Sequence, residues 1–269
     1  MVTEEFGSLM DQSNMTSKAR LMAVSTKISG TWLHALPASS LGNLLDDNTL
    51  RISVGLWLGS RLCQPHMCRC GEVVDEYGLH GLSCPRSSGR HSRQASLNES
   101  VRRALVSAQV PAVLEPLGLS RDDELRPDGK TMIPWKNGKE LVRDVTVIDT
   151  LAKSYVGKTS ENVRAAAEDA EERKIQKYQG IASQYLFVPL RFEPFGSWGP
   201  AATELINAIG KKLVEFSFET RSLHYFKQRL SLGIQRGNAF CVMGTAKETK
   251  GLEEKLDVLK LRKGRTMSA

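Results

Sequence analysis

With 269 residues, 41% hydrophobic and 25% charged, the chain has the composition of an ordinary soluble globular protein, with room for one large domain or a small module beside a medium one. Its 37 Lys+Arg against 30 Asp+Glu give a formal net charge of +7 and a pI near 9.2, which favours a polyanionic partner without identifying one. No stretch approaches the roughly 20 apolar residues of a membrane span, and the opening MVTEEFGSLMDQ lacks the regions of a signal peptide, so the expected location is intracellular, nuclear or cytoplasmic, with no membrane partner.

Residues 1–62 read as a helical N-terminal segment, with apolar spacing at Leu21, Met22 and Val24 and again at Leu41, Leu44 and Leu45, broken by Gly30 and by Pro37-Ala38-Ser39-Ser40. Residues 63–90 form a Cys/His-rich module that ends in a polar turn, Ser87-Ser88-Gly89-Arg90. Leu97, Val101, Ala104, Leu105 and Ala108 predict an amphipathic helix over 96–109. Strands are predicted over 110–115, 132–135 and 141–148, where β-branched residues concentrate. A helix follows from Ser160, as N-cap, to Gly180, just past its end. The run 185–192 reads as a strand that Pro189 places at an edge or ends early. Helical spacing returns over 200–218 and 220–236, and the tail 245–269, with Lys260-Leu261-Arg262-Lys263, is basic, polar and expected to be partly disordered. The order helix, strand, strand, strand, helix, strand over 91–244 gives an α/β fold class, a mixed sheet flanked by helices.

Candidate chemistry is clearest at Arg126-Pro127-Asp128, followed after 15 intervening residues by Asp144. If two antiparallel strands joined near Asn137-Gly138 carry them, the carboxylates meet at one end of the sheet. Two close carboxylates repel unless a cation lies between them, and Mg2+, commonly held by one or two carboxylates with water and phosphate oxygens, suits the place. Such a site serves phosphodiester hydrolysis. Thr146 stands where an Asp-x-Lys motif would place its lysine. On the following helix, Val163, Ala167, Ala170, Lys174 and Tyr178 share a stripe at roughly 100° per residue, so Lys174 faces the sheet as a substitute; a snorkelling surface lysine is the alternative. Glu99 and Glu115 are further candidates for holding metal or positioning water, against a plain surface or capping role. Trp135, Tyr155 and Tyr185 are candidates to stack on bases, against the usual core role of strand aromatics.

Cys68-x-Cys70-x9-His80-x3-Cys84 offers three thiolates and an imidazole, a set suited to a closed tetrahedral Zn2+ site. Cys-x-Cys is tighter than the usual Cys-x2-Cys, so Cys63 or His66 is an alternate for Cys68 or Cys70. Residues 63–84 have too few large apolar side chains to hold themselves together, and metal would supply folding energy there. Arg61, Arg69, Arg86, Arg90 and Arg93 surround the cluster as phosphate contacts or as a solvated basic face. Gln235-Arg236-Gly237-Asn238 offers a phosphate-binding helix end or a packed terminal helix.

Taken together, Cys68-Arg69-Cys70 through His80 and Cys84, Glu115-Pro116, Arg126-Pro127-Asp128, Asp144-Val145-Thr146, Arg173-Lys174 through Tyr178 and Gln235-Arg236-Gly237-Asn238 resemble one known family region. It is the zinc knuckle and restriction-like (PD-(D/E)XK) endonuclease that follow reverse transcriptase in site-specific non-long-terminal-repeat retrotransposons. The resemblance implies a restriction-endonuclease-like core and a catalytic set of Asp128, Asp144, Lys174 on the helix, and Tyr178 four residues on. It also implies catalytic Mg2+, structural Zn2+, and DNA as partner, with RNA and a separately supplied reverse transcriptase as further partners. The expected function is target-site nicking; the alternative is a catalytically inactive nucleic-acid-binding remnant.

Overall fold

Asn14 and Asp46 each accept a backbone N–H three residues on, from Ser17 at 2.8 Å and Thr49 at 3.0 Å, and so start two of the first helices. In a computed structural model, which describes residues 2–116, 119 and 126–246, these follow α1 (Val2–Asp11) as α2 (Met15–Val24) and α3 (Asp47–Leu58). The Cys/His module holds a small antiparallel hairpin, β1 (His66–Met67) and β2 (Val73–Val74), and one turn of helix, α4 (His80–Ser83). The predicted amphipathic helix is longer than expected: α5 spans Ser88–Ser107, and the residues read as a polar turn form its first turn.

The sheet has four strands in the order β3 (Ala112–Leu114), β4 (Gly129–Lys136), β5 (Lys139–Val147), β6 (Leu186–Phe192). The first three pair antiparallel, and β6 runs parallel to β5 in register Asp144↔Pro189. Asn137 (φ 53) and Gly138 (φ 72) are both left-handed, the type I′ geometry whose twist suits a two-residue hairpin. Pro189 lies in an edge strand, where its missing N–H is tolerated, and β6 continues through it.

Alternation along β5 sends Leu141 and Val145 to one face, where they bury against Leu97, Val101 and Leu105 of α5, with α8 (Pro200–Ser217) and α9 (Ser222–Met243) completing the core. Val142, Asp144 and Thr146 face the other way, towards α7 (Ala165–Lys177). A second cluster, including Ile52, Leu56, Leu62, Leu82, Phe195, Ala239 and Val242, packs α3 and the Cys/His module against α9. No helix among the described residues is long and apolar enough to cross a membrane.

Ser160 is not the start of the long helix. It closes a one-turn helix, α6 (Val156–Thr159), and α7 begins only after Arg164, itself left-handed at φ 68. The cap comes from a distance: Glu193, past the end of β6, accepts the Ala167 N–H at 3.1 Å and the Thr150 hydroxyl at 3.1 Å. Glu171 of α7 in turn accepts the N–H groups of Ala201 and Ala202 at 3.1 and 3.2 Å and caps α8. At the other end, α9 extends to Met243, beyond the expected 236. Residues 247–269, most of the basic tail, lie outside the described residues.

Burial pushes the Glu193 carboxyl up to about 7 from its ordinary 4.5. The folded state therefore holds this proton more tightly than the unfolded chain does, and the acid's contribution to stability falls as pH rises from 4.5 through about 7. Glu193→Gln keeps an acceptor for Ala167 without the ionisation. Urea melts should show this variant gaining on the wild type by up to roughly 3 kcal/mol between the acid and alkaline sides of that window. A difference independent of pH would contradict the assignment.

Candidate active site and zinc centre

The β1–β2 hairpin turns through Cys68 and Cys70, with the Cys68 N–H donating to Glu72 O at 2.8 Å and the Gly71 N–H to Cys68 O at 3.0 Å. His80 opens α4 and Cys84 follows it, so one helical turn brings both to the hairpin. The four ligand atoms lie within 4.8 Å of one another, with Cys68 Sγ 3.6 Å from Cys84 Sγ and Cys70 Sγ 3.1 Å from His80 Nε2. Thiolates about 2.3 Å from one tetrahedral zinc lie about 3.8 Å apart, so this cluster can hold a zinc ion. Burial pushes the Cys84 thiol up to about 11, whereas a backbone N–H from Glu72 draws Cys70 below its ordinary value.

The two alternates are engaged elsewhere. The Cys63 thiol contacts Asp75 O at 3.4 Å, and the His66 ring nitrogens contact Gln64 O and Thr245 Oγ1, both at 2.9 Å. Of the surrounding arginines, Arg93 is no phosphate contact: it is 2% exposed and donates to Asn238 Oδ1 at 2.6 Å and to Leu82 O at 3.4 Å. Gly237 makes room for it, since a Cβ there would lie 2.2 Å from Arg93 Cγ. Asn238 also donates to Pro194 O at 2.7 Å, and Arg236 to Gly42 O at 2.6 Å. The Gln235-Arg236-Gly237-Asn238 run is thus the packed alternative: it locks α9 onto α5 and the N-terminal segment.

Asp128 precedes β4, and its Oδ2 accepts the Val145 N–H at 2.6 Å and Gln94 Nε2 at 3.4 Å. That bond seats the carboxylate one residue from Asp144. Asp144 is 5% exposed; its Oδ2 accepts from Lys174 Nζ at 2.8 Å and its Oδ1 from Arg191 Nη2 at 2.9 Å. Burial raises the Asp128 carboxyl above its ordinary value, the charge of Asp144 adds to this, and the Val145 N–H and the ammonium of Lys174 oppose it. Tyr178 is buried, stacked on Phe187 with ring centres 4.2 Å apart, and its own ring centre lies 5.6 Å from Lys174 Nζ.

The structure brings Asp128, Asp144, Lys174 and Tyr178 together. Glu99 stays on α5, its carboxylate held by Arg102 and Arg103 through 2.7 Å bonds that draw it down to about 2. Glu115 joins Asp128 through its backbone N–H, at 3.0 Å to Asp128 O, while its exposed side chain faces Arg126. Each glutamate carboxylate is thus paired with arginine. Two groups were not singled out from sequence. Arg191 had a readable signal, one charge inside the apolar run Leu186-Phe187-Val188-Pro189-Leu190-Arg191-Phe192. Gln94 had little, being one polar residue among several on α5.

No protein-family model matches this sequence, and no curated protein matches it.

Purified protein is expected to carry one zinc per chain by elemental analysis. Cys84→Ser should lose the ion and destabilise the fold, whereas Cys63→Ser should retain it. Zinc loss in Cys63→Ser with retention in Cys70→Ser would reassign the ligands.

Proposed function

We propose that this chain is a metal-dependent DNA endonuclease with a restriction-endonuclease-like core, of the kind that nicks target DNA for a retrotransposon. The observation that carries the reading is the meeting of Asp128, Asp144 and Lys174, from a strand start, a strand interior and a separate helix, at one point of the sheet. The strand order, three antiparallel strands and then a helix leading to a parallel fourth, also supports it.

The donors fit a hard divalent cation, because Asp128 and Asp144 are oxygen ligands and the charge of Asp144 helps to raise the Asp128 carboxyl. When bound, Mg2+ would supply Lewis-acid stabilisation at the phosphate and a more acidic water. Asp128 and Asp144 would hold it. Arg191, 1% exposed, would fix the Asp144 carboxylate from the buried side. Lys174, whose side chain is 28% exposed, has the freedom to leave Asp144 and either neutralise the phosphate or orient the attacking water. Tyr178 would guide the lysine by packing beside its ammonium. The zinc knuckle would brace the core. DNA is the partner this reading requires, with RNA and a reverse transcriptase supplied separately as partners in the larger reaction, where a nicked strand's 3′ hydroxyl primes synthesis.

One observation favours a second reading. Lys174 and Arg191 together engage both Asp144 oxygens, an arrangement that also suits an inactive nucleic-acid-binding remnant in which salt bridges stand where metal would.

A supercoiled-plasmid assay with Mg2+ separates the two. The wild type should convert plasmid to nicked circle, and Asp144→Ala and Lys174→Ala should each slow this by about 100-fold or more. Wild-type protein that binds the plasmid and leaves it intact would establish the inactive remnant instead.

A further inference from the structure

A cavity of about 270 Å3 opens on the α7 side of the sheet, towards the β4–β5 hairpin from Asp144. Its walls include Tyr185 and Phe187 at the start of β6, Ile175 and Tyr178 at the end of α7, and Lys136 and Lys139 flanking the hairpin turn. Phe187 pairs with Val142, two positions before Asp144 on the same face, and stacks on Tyr178, beside which Lys174 lies. The cavity and the candidate active site therefore share a wall.

Its chemistry is specific. Tyr185 is half-buried, with Lys130 Nζ 5.6 Å from its ring centre, and Lys130 is itself held by Glu140 at 2.7 Å. The Lys139 ammonium is fixed on Ala182 O at 2.8 Å, and Lys136 is exposed at the mouth. Aromatic faces offer a planar ring system something to stack on, and ammonium groups at the rim offer a phosphate its counter-charge. The volume is just below the roughly 300–1,000 Å3 of pockets for drug-sized ligands, which suits one flat base better than a larger molecule. A base inside a duplex has its faces covered by its neighbours, so only an unpaired one can enter.

We infer that this cavity binds one unpaired nucleotide of the DNA strand whose phosphate enters the Asp128–Asp144–Lys174 site. The inference rests on the nuclease reading for the strand's path. Tyr185 stacks on the base, and Lys136 and Lys139 hold the adjoining backbone phosphate.

The test is fluorescence anisotropy of the full chain without divalent metal, on a labelled single-stranded DNA and on a blunt duplex of the same sequence. Tyr185→Leu should weaken single-strand binding by about tenfold, the loss of one stacked base, and leave duplex binding within about twofold. Tyr185→Phe, which keeps the ring, should bind as the wild type does. Lys136→Ser, at an exposed position, should weaken single-strand binding and lower its salt dependence by about one phosphate contact, and it tests the same cavity if Tyr185→Leu does not fold. Unchanged single-strand affinity in folded Tyr185→Leu or Lys136→Ser, or an equal loss on both DNAs in Tyr185→Leu, would overturn the inference. The nuclease reading fails separately: a wild type that never nicks plasmid but shows the Tyr185 contrast retains the subsite without the enzyme, and nicking without the contrast retains the enzyme without the subsite.

Discussion

The carboxylate of Asp144 is held between Lys174 at 2.8 Å and Arg191 at 2.9 Å, and through it β5, α7 and β6 are tied at one point. Burying an ion costs several kcal/mol unless partners surround it, and removing one partner of such a pair typically costs about 3–5 kcal/mol. At 5% exposed, Asp144 is offset by both cations, Arg191 from the buried side and Lys174 from the more open one. Asp128, seated by the Val145 N–H beside it, adds a second carboxylate, so two acids face two bases. A divalent ion held there, as proposed, would add positive charge, and a phosphodiester would offset it in part. The proposed chemistry thus grows out of the same electrostatics that fix the strands.

The same economy of buried carboxylates orients α7. Glu193 caps its start and Glu171, on α7 itself, caps α8, so the helix carrying Lys174 is located by hydrogen bonds at its beginning and by Asp144 near its end. The Cys/His side of the molecule is fixed by other means: Arg93 is threaded past Gly237 and bound to Asn238, and α3 and the Cys/His module share an apolar cluster with α9. What reads in the sequence as scattered polar residues is, in the fold, a set of ties between elements distant along the chain.

Much of this was legible locally. The stripe at Leu97, Val101 and Leu105 is the face on which α5 packs, Asn137-Gly138 makes the hairpin, and the edge placement implied by Pro189 is met by β6. Spacing at 100° per residue placed Lys174 with Ala167, Ala170 and Tyr178, and that stripe faces the sheet. The misses have a common cause. Ser160 is a good local cap, yet the first turn of α7 is capped by a glutamate 26 residues beyond Ala167, and no local propensity encodes that. Arg93 reads as a surface charge beside Arg90, because its buried role depends on a glycine and an asparagine 144 and 145 residues away. Pairings that close only in three dimensions are where sequence pattern falls silent.

Asp128 and Asp144 are proposed to hold a divalent cation, with Lys174 beside it. Diffraction from crystals grown in Mn2+, an oxygen-loving substitute for Mg2+ with usable anomalous scattering, tests it directly. An anomalous peak beside Asp128 and Asp144 is expected, with the Lys174 ammonium moved off Asp144. Saturating Mn2+ with no peak there, and Lys174 still paired to Asp144, would contradict it.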